Sequence, residues 1–368
     1  MLQTKTDWRA WVAREPSTAA GHPTLGQYEK LTSREKLLIN RSRQARNSEF
    51  VTVETSTMLG IVKALRSTLR VNEYEQPTAR RGIVIDGIPG LGKSTLVQGF
   101  GKAFELELRY LHPERFVRPV ADEPPEDVTP PRYEYCPVVY ITTPKQATPK
   151  MLAIAIAEYL EVLYGPREST LEITNKILKY LAGCKTQLLI VDDIHFLDLS
   201  EKEGKAANDF LKQLANMCAA TFLYAGVKVR ESSLFSEGAG TVRDTQTSAR
   251  FTTYRMEPFG IATKEARTEW ATVIKVMEEN FVLYRHVAGS LARHEWRYLH
   301  NRTGGKFSAL TYLLKMGVDE AIENGDELIT RDLLETIRIP EAAQEPYDRS
   351  LKQDSANSRK SARALAAG

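Results

Sequence analysis

Little in this chain offers a covalent or membrane-borne framework. There are only three cysteines, Cys136, Cys184 and Cys218. They are too few and too scattered for a disulfide framework or a zinc site, and each reads as a reduced, half-buried thiol. No apolar run reaches the length of a membrane span; even 151–164 is broken by Glu158 and Glu161. Met1 to Arg14 carries Asp7, Trp8 and Arg9 where a signal peptide needs an apolar centre. The expectation is a cytoplasmic protein with no membrane partner. Charge of one sign is also missing: 50 Lys and Arg stand against 47 Asp and Glu, net +3, so bulk charge does not by itself argue for nucleic acid. No internal repeat is found. What remains, 42% apolar and 26% charged over 368 residues, suits a globular protein of one large or two ordinary domains.

What is there begins with Gly82-Ile83-Val84-Ile85-Asp86-Gly87-Ile88-Pro89-Gly90-Leu91-Gly92-Lys93-Ser94-Thr95. A β-rich run leads into a glycine-rich turn, and Lys-Ser-Thr opens an apolar-periodic segment. Gly87 to Ser94 fits G-x-x-x-x-G-K-[ST] without deviation. The glycines let the backbone curl so that successive N–H groups face a phosphate, and the following helix adds its N-terminal partial charge. Gly87, Ile88, Pro89, Gly90, Leu91, Gly92, Lys93, Ser94 and Thr95 are therefore the expected nucleotide-binding residues. Lys93 reaches the β/γ-phosphates, Ser94 holds Mg²⁺ and Thr95 backs the phosphate contact. The implied cofactors are ATP and Mg²⁺.

Residues 1–30 lack clear period and read as a loose arm on which Trp8 and Trp11 can dock. A helix is expected from Thr32, where Thr32-x-x-Glu35 forms a capping box. Lys30, Arg34, Lys36, Arg41, Arg43 and Arg46 make it basic, either a solvated face or a phosphate-contacting one. Residues 54–70 read as a helix with Met58, Ile61, Val62, Leu65 and Leu69 on one stripe. The stretch 111–137 carries seven prolines and reads as an insertion loop. Pro137 to Thr142 is a buried strand. Thr148-Pro149 starts a helix running to about Leu163, and another spans 170–182.

Gln187-Leu-Leu-Ile-Val-Asp192-Asp193 is the second informative stretch: a central strand with acids at its C-terminal end, where open α/β sheets place ligands. In this Walker B pattern Asp192 belongs to the Mg²⁺ shell, and Asp193 stands where a water-activating glutamate is usual. His195 either lines the site or simply packs. A helix at 205–219, strands at 221–226 and 253–257, and then helices at 262–283, 285–302, 306–324 and 329–337 complete the order. The expected domains are an arm with its basic helix over 1–50, an α/β core over 51–259, a helical lid over 260–340 and a disordered basic tail over 341–368. Five basic residues stand against one acid from Arg349 onward.

A phosphate loop, a strand ending in two acids, an extra strand between them and a helical lid point to an AAA+ ATPase. The expected fold is a three-layer α/β core on a five-stranded parallel sheet, with right-handed crossovers. The extra strand, Pro137 to Thr142, belongs beside the Walker B strand. In this class a neighbour's arginine completes the site. Arg250, in Ser-Ala-Arg-Phe before the last strand, is the first candidate, with Arg243 and Arg230 as runners-up.

Five stretches carry a narrower likeness: GIPGLGKS (87–94), PVVYITTPKQATPKML (137–152), AGCKTQLLIVDDIHFL (182–197), SARF (248–251) and RTGGKFSALTYLLKMGVDEAIENG (302–325). Over about 31–337 the chain resembles the TniB/TnsC family, AAA+ regulators of transposition related in role to the phage Mu B protein. The resemblance implies an ATP-dependent homo-oligomer, ring or filament, that coats double-stranded DNA. It also implies links to a DDE transposase and a TniQ-like adaptor. The family's DNA contacts fall here on Lys145 and Gln146, with Lys150 near, and around Arg167 and Ser169. Such residues suit phosphate contacts without base readout.

Three departures stand out. Asp193 is one methylene shorter than glutamate, and a displacement of about 1 Å can cost roughly 10²-fold, so slow ATP hydrolysis is expected. Ala225-Gly226-Val227 lacks the Thr or Asn that senses γ-phosphate. After the glycine pair, Lys306 and Ser308 stand where an arginine is usual. Two other readings remain: a signalling or defence ATPase switch that does not bind DNA, and a helicase or polymerase loader.

Overall fold

The structure is a computed structural model that describes residues 2–14, 21–49, 55–75, 80–116, 133–197, 199–229 and 250–366, with side chains to 353. Most of the proline-rich stretch, and Arg230, Arg243 and Ser248, lie outside the described residues. The chain divides into two compact units: Met1–Arg14 with Thr57–Met256, and Glu15–Ser56 with Glu257–Gly368.

The first unit is built on five parallel strands: β1 (Gly82–Asp86), β2 (Val138–Thr142), β3 (Leu188–Asp192), β4 (Thr221–Gly226) and β5 (Phe251–Arg255). Their order is β2-β3-β4-β1-β5. Every residue of β1, β3 and β4 is buried. This explains why those strands read as unbroken apolar runs and not as alternating ones. β2 lies beside β3, pairing Val138 with Leu188 and Thr142 with Asp192. β5 begins two residues before the expected 253, at Phe251. Because the strands are parallel, the phosphate loop after β1, the turn after β2 and the acids ending β3 all leave at one end of the sheet.

Helices of this unit are α1 (Lys5–Ala13), α4 (Ser56–Tyr74), α5 (Lys93–Leu111), α6 (Pro149–Tyr159), α7 (Thr170–Gly183) and α8 (Lys202–Met217), with α2 (Leu25–Glu29) and α3 (Ser33–Ser48) falling in the other unit. The expected single arm over 1–50 is therefore corrected. Its first helix joins the sheet unit through Trp8 and Val12, both almost fully buried. Arg9 donates to Glu134 Oε2 at 2.7 Å. A nine-residue helix with one apolar i, i+4 pair is too short for a period reading to detect.

The second unit is helical: α2 and α3, then α9 (Lys264–Glu278), α10 (Ser290–His294), α11 (Trp296–Thr303), α12 (Phe307–Glu323), α13 (Arg331–Thr336) and α14 (Glu341–Ala366). Its core gathers Trp270, Ile274, Leu299, Leu310, Leu313 and Val318. The expected helix over 285–302 is two, parted at Glu295.

Two further expectations are corrected in this unit. The capping box at Thr32 forms, Thr32 Oγ1 accepting from Glu35 N–H and Glu35 from Thr32 N–H at 2.8 Å. The basic face of α3 does not form a continuous row, however. Arg43 is fully buried and makes a two-pronged bond to Glu327, at 2.7 and 2.8 Å, while Arg46 pairs with Glu49 at 2.9 Å. The tail over 341–366 is helical, contrary to the expected disorder. Ala343 and Tyr347 form a buried i, i+4 pair, and Tyr347 donates to Glu335 at 2.6 Å. Good intrinsic helix formers on the remaining faces keep such a helix polar overall, which mimics a disordered composition.

Candidate nucleotide site

The site starts where β1 runs into its loop. Gly90 and Gly92 have φ of 85° and 87°, a region open to glycine at no steric cost. Gly92 is the N-cap of α5 and leaves the first-turn N–H groups without a side-chain cap. By contrast Thr32, Thr148 and Ser169 close the N-termini of α3, α6 and α7 with their own oxygens. A nineteen-residue helix opening on uncapped donors is suited to an anion. Leu91 is buried, anchoring the middle of the loop.

Lys93 lies back across the loop. Its Nζ donates to the carbonyls of Gly87, at 2.8 Å, and Ile88, at 2.9 Å. An ammonium has three donors, so one remains beyond these two. Burial pulls the Lys93 pKa down, opposed by the charges of Asp192, Asp86 and Asp193. Three carboxylates thus surround one half-desolvated cation.

Asp192, almost fully buried, ends β3. Burial raises its pKa above the ordinary value, while hydrogen bonds from Ser94 and from the Asp193 N–H hold it down. Oδ1 accepts from Asp193 N at 2.9 Å and Oδ2 from the Tyr140 hydroxyl at 3.0 Å. Its carbonyl accepts from the Thr143 backbone and hydroxyl, both at 2.9 Å. Asp193 follows in the left-handed region, φ 54° and ψ 35°. Asp and Asn tolerate that region better than most residues. Its carboxylate is partly exposed and lies 3.9 Å from His195 Nδ1, so His195 sits beside the second acid.

The donor set fits a phosphate-bound Mg²⁺. Ser94 lies close enough to Asp192 to lower its pKa, and the two supply a hydroxyl and a buried carboxylate next to Lys93. Hard oxygen donors with an adjacent phosphate are what Mg²⁺ takes.

Other sequence-nominated residues fall as follows. Arg250 Nη1 donates to Asn216 Oδ1 at 2.8 Å, and its carbonyl accepts from Gly82 N–H at 3.0 Å. Lys145 and Gln146 are exposed in the turn after β2, where Gln146 adopts φ 52°. Arg167 is exposed before α7, and Ser169 caps that helix, its hydroxyl shared with Glu172 at 2.8 Å. Lys150 is close enough to Glu168 to help lower that carboxyl's pKa, after Lys176 and the Gly165 N–H. The start of α6 and the approach to α7 are thus neighbours.

Two of the departures acquire physical reasons. A Cβ on Gly226 would lie 2.6 Å from Ile194 Cγ2 and 3.2 Å from His195 N. The turn after Asp193 therefore occupies the space a larger residue at 226 would need. In the helical unit Arg302 donates to Ile337 O and Gln344 Oε1 at 2.7 and 2.8 Å, and Lys306 donates to Ala342 O at 2.9 Å. Both basic groups flanking the glycine pair are engaged in holding α14.

Sequence reasoning missed Tyr140, Gln98, Thr143 and Asp86. The Asp86 carboxylate accepts from Val229 N–H at 2.9 Å, tying β1 to the loop after β4. Its position directly before the phosphate loop was a visible signal. The others are polar residues on apolar elements, which no spacing rule picks out.

The loop, the acid pair on the strand two places away in the sheet and the β2-β3-β4-β1-β5 order define an AAA+ ATPase, a class that takes ATP and Mg²⁺. The profile of the family described as "Bacterial TniB protein" matches residues 43–261, and the chain belongs to that family. No curated protein matches it. Among solved structures it is similar to the Aeropyrum pernix ORC1 protein in complex with DNA, at 13% identity and a TM-score of 0.57, covering 80% of this chain and 68% of that one. It is also similar to the Aeropyrum pernix ORC2 protein in its ADPNP-ADP complexes, at 16% identity and 0.54, covering 79% and 69%. Cdc6p from Pyrobaculum aerophilum follows at 13% and 0.50, covering 78% and 68%. These likenesses concern the fold. Among the described residues no helix is long and apolar enough to cross a membrane.

Proposed function

We propose that this chain is an ATP-gated regulator of transposition. In this reading it oligomerises on double-stranded DNA without sequence preference and passes target choice to a DDE transposase, with a TniQ-like adaptor as a further partner. The observation that carries the reading is the shared end of the sheet. The exposed Lys145–Gln146 turn leaves β2 at the same end from which the phosphate loop leaves β1 and Asp192 ends β3. Arg167 and Lys150 extend that surface around Glu168. Phosphate contacts from such side chains position a duplex and read no bases. The Aeropyrum ORC1 structure, with its DNA, supports the same class of partner.

Within the site, Lys93 and the uncapped α5 N–H groups bind the phosphates, and Ser94 and Asp192 would hold Mg²⁺, which would neutralise charge on them. Asp193 orients the attacking water from its left-handed turn, and Arg250 of a neighbouring copy completes the charge balance. Electrostatic help of that kind is worth about 10³ to 10⁵ in rate. In an oligomer the Arg250–Asn216 bond is exchanged for the neighbour's phosphate.

The test is retention on duplex DNA with a non-hydrolysable ATP analogue. Retention should require the analogue, be indifferent to sequence and fall steeply with salt. Lys145→Ala with Arg167→Ala should weaken it on all sequences alike. A chain that binds the analogue but is never retained on DNA is instead a nucleotide-gated switch for a protein partner, and the proposal fails.

A further inference from the structure

The carboxylate assigned to Mg²⁺ is held by a residue outside the nucleotide motifs. Tyr140 is the third residue of β2, nearly buried, on the strand next to β3. Its hydroxyl donates to Asp192 Oδ2 at 3.0 Å and accepts from Gln98 Nε2, on α5, at 2.7 Å. A phenol has a single proton. With Gln98 filling an acceptor position on the oxygen, that proton is directed at Asp192. Behind it the Trp8 ring stacks on Tyr140, 5.9 Å between centroids and 22° between planes. Trp8 is itself fixed by its Nε1 donating to buried Glu105 at 2.7 Å.

We infer that Tyr140 is a positioning residue for Mg²⁺-ATP: it locks the rotamer of Asp192 so that the carboxylate meets the cation already oriented. This deepens the nucleotide reading above and rests on it. The effect is preorganisation. Asp192 Oδ1 is tied to the Asp193 N–H; with Oδ2 tied as well, the side chain cannot turn about its last torsion. Without the hydroxyl the carboxylate must be ordered by the cation, and affinity falls by that ordering. α1 forms the back wall of the Tyr140 ring, which gives this helix a role at the site.

The experiment is calorimetric titration of the full chain with a non-hydrolysable ATP analogue, in EDTA and over graded Mg²⁺. Tyr140→Phe keeps the ring on Trp8 and removes only the hydroxyl. The expected result is an affinity in EDTA within about twofold of the parent and a half-saturating Mg²⁺ concentration raised about tenfold, the order of one hydrogen bond to a charged group. Gln98→Leu should move the Mg²⁺ requirement the same way by about threefold, since the hydroxyl stays but loses its direction. Saturating Mg²⁺ should restore the parent's affinity in both.

An unchanged Mg²⁺ requirement in Tyr140→Phe overturns the proposal. So does an equal loss of affinity in EDTA, which would make Tyr140 a packing residue. If Tyr140→Phe does not fold, Gln98→Leu decides alone, and no shift there overturns it. A parent that binds no nucleotide under either condition overturns the nucleotide reading itself, an outcome distinct from a Mg²⁺-responsive parent with unresponsive variants.

Discussion

The two units bury charge in opposite ways. In the sheet unit the ionisable groups around the phosphate loop form an unequal set: one lysine, Lys93, faces Asp86, Asp192 and the partly exposed Asp193, and its ammonium bonds to backbone carbonyls. In the helical unit they form closed partnerships. Arg43 and Glu327 meet in a two-pronged bond under the ring of Tyr284. Glu278 accepts from the Leu291 and Ala292 N–H groups, both at 2.9 Å, and pairs with His286 at 3.0 Å. Arg302 divides its donors between Ile337 and Gln344 under Tyr347. A buried charge is tolerated when its partners are supplied by the protein. In the helical unit each of these groups meets a protein partner, whereas the set around the phosphate loop leaves part of that task to a ligand.

The largest effect should come from Lys93→Ala. Removing the cation assigned to the phosphates should weaken ATP binding by about a hundredfold or more in calorimetry. Thermal unfolding without nucleotide should stay close to the parent's, because the cost of desolvating the ammonium offsets its attraction to the three carboxylates. Unchanged ATP affinity would dissolve the contrast, since the sheet unit would then hold an ordinary structural lysine.

Next comes Arg43→Ala, which strands Glu327 in an apolar setting and should cost about 3–5 kcal/mol in urea unfolding. The paired change Arg43→Met with Glu327→Leu should recover most of that loss, as apolar replacements of buried ion pairs often do. If the double variant is no better than the single one, the pair has a role beyond mutual neutralisation.

Glu278→Gln should follow at about 1–3 kcal/mol, having lost a charge-assisted bond and weakened two backbone ones. It also makes a pH test. The Glu278 carboxyl is held below its ordinary value of 4.5, against the opposing pull of burial, by His286 and the two N–H groups. A depressed acid contributes stability that is fully present above the unfolded value and is lost as pH falls through the folded one. The parent should therefore lose stability below about pH 4.5 more steeply than Glu278→Gln, read as melting temperature against pH.

The smallest effect should have the opposite sign. Asp192 is a buried carboxylate whose ionisation is disfavoured by desolvation. Asp192→Asn should therefore leave the nucleotide-free protein slightly more stable, by about 0.5–1 kcal/mol, while Mg²⁺-dependent nucleotide binding collapses. Functional groups commonly carry this trade between stability and activity. A clear destabilisation would place Asp192 among the closed partnerships instead.

Much of the sheet unit was legible in the chain. Strands buried on both faces need unbroken apolar runs, so 83–85, 137–142 and 187–191 stood out, and the glycine spacing before Lys93 announced the loop. Capping residues such as Thr32, Thr148 and Ser169 marked helix starts because they satisfy local N–H groups with local atoms. The helical unit was legible as helices, but its assignments were not. Arg43 reads as one more surface charge until Glu327, 284 residues later, meets it. The tail reads as disordered because its polarity hides the Ala343–Tyr347 pair.

The sequence by itself determined the sheet, the phosphate loop and the two acids, since each depends on contacts within a few residues or on an apolar run long enough to declare its burial. Only the tertiary structure decided which charges are closed and which face the site. It put α1 behind Tyr140, turned Arg302 and Lys306 toward α14 and left Gly226 no room for a side chain. Those outcomes rest on groups far apart in the chain meeting in a desolvated place, and the strength of a charge's interactions is set by that surrounding, which local sequence does not carry.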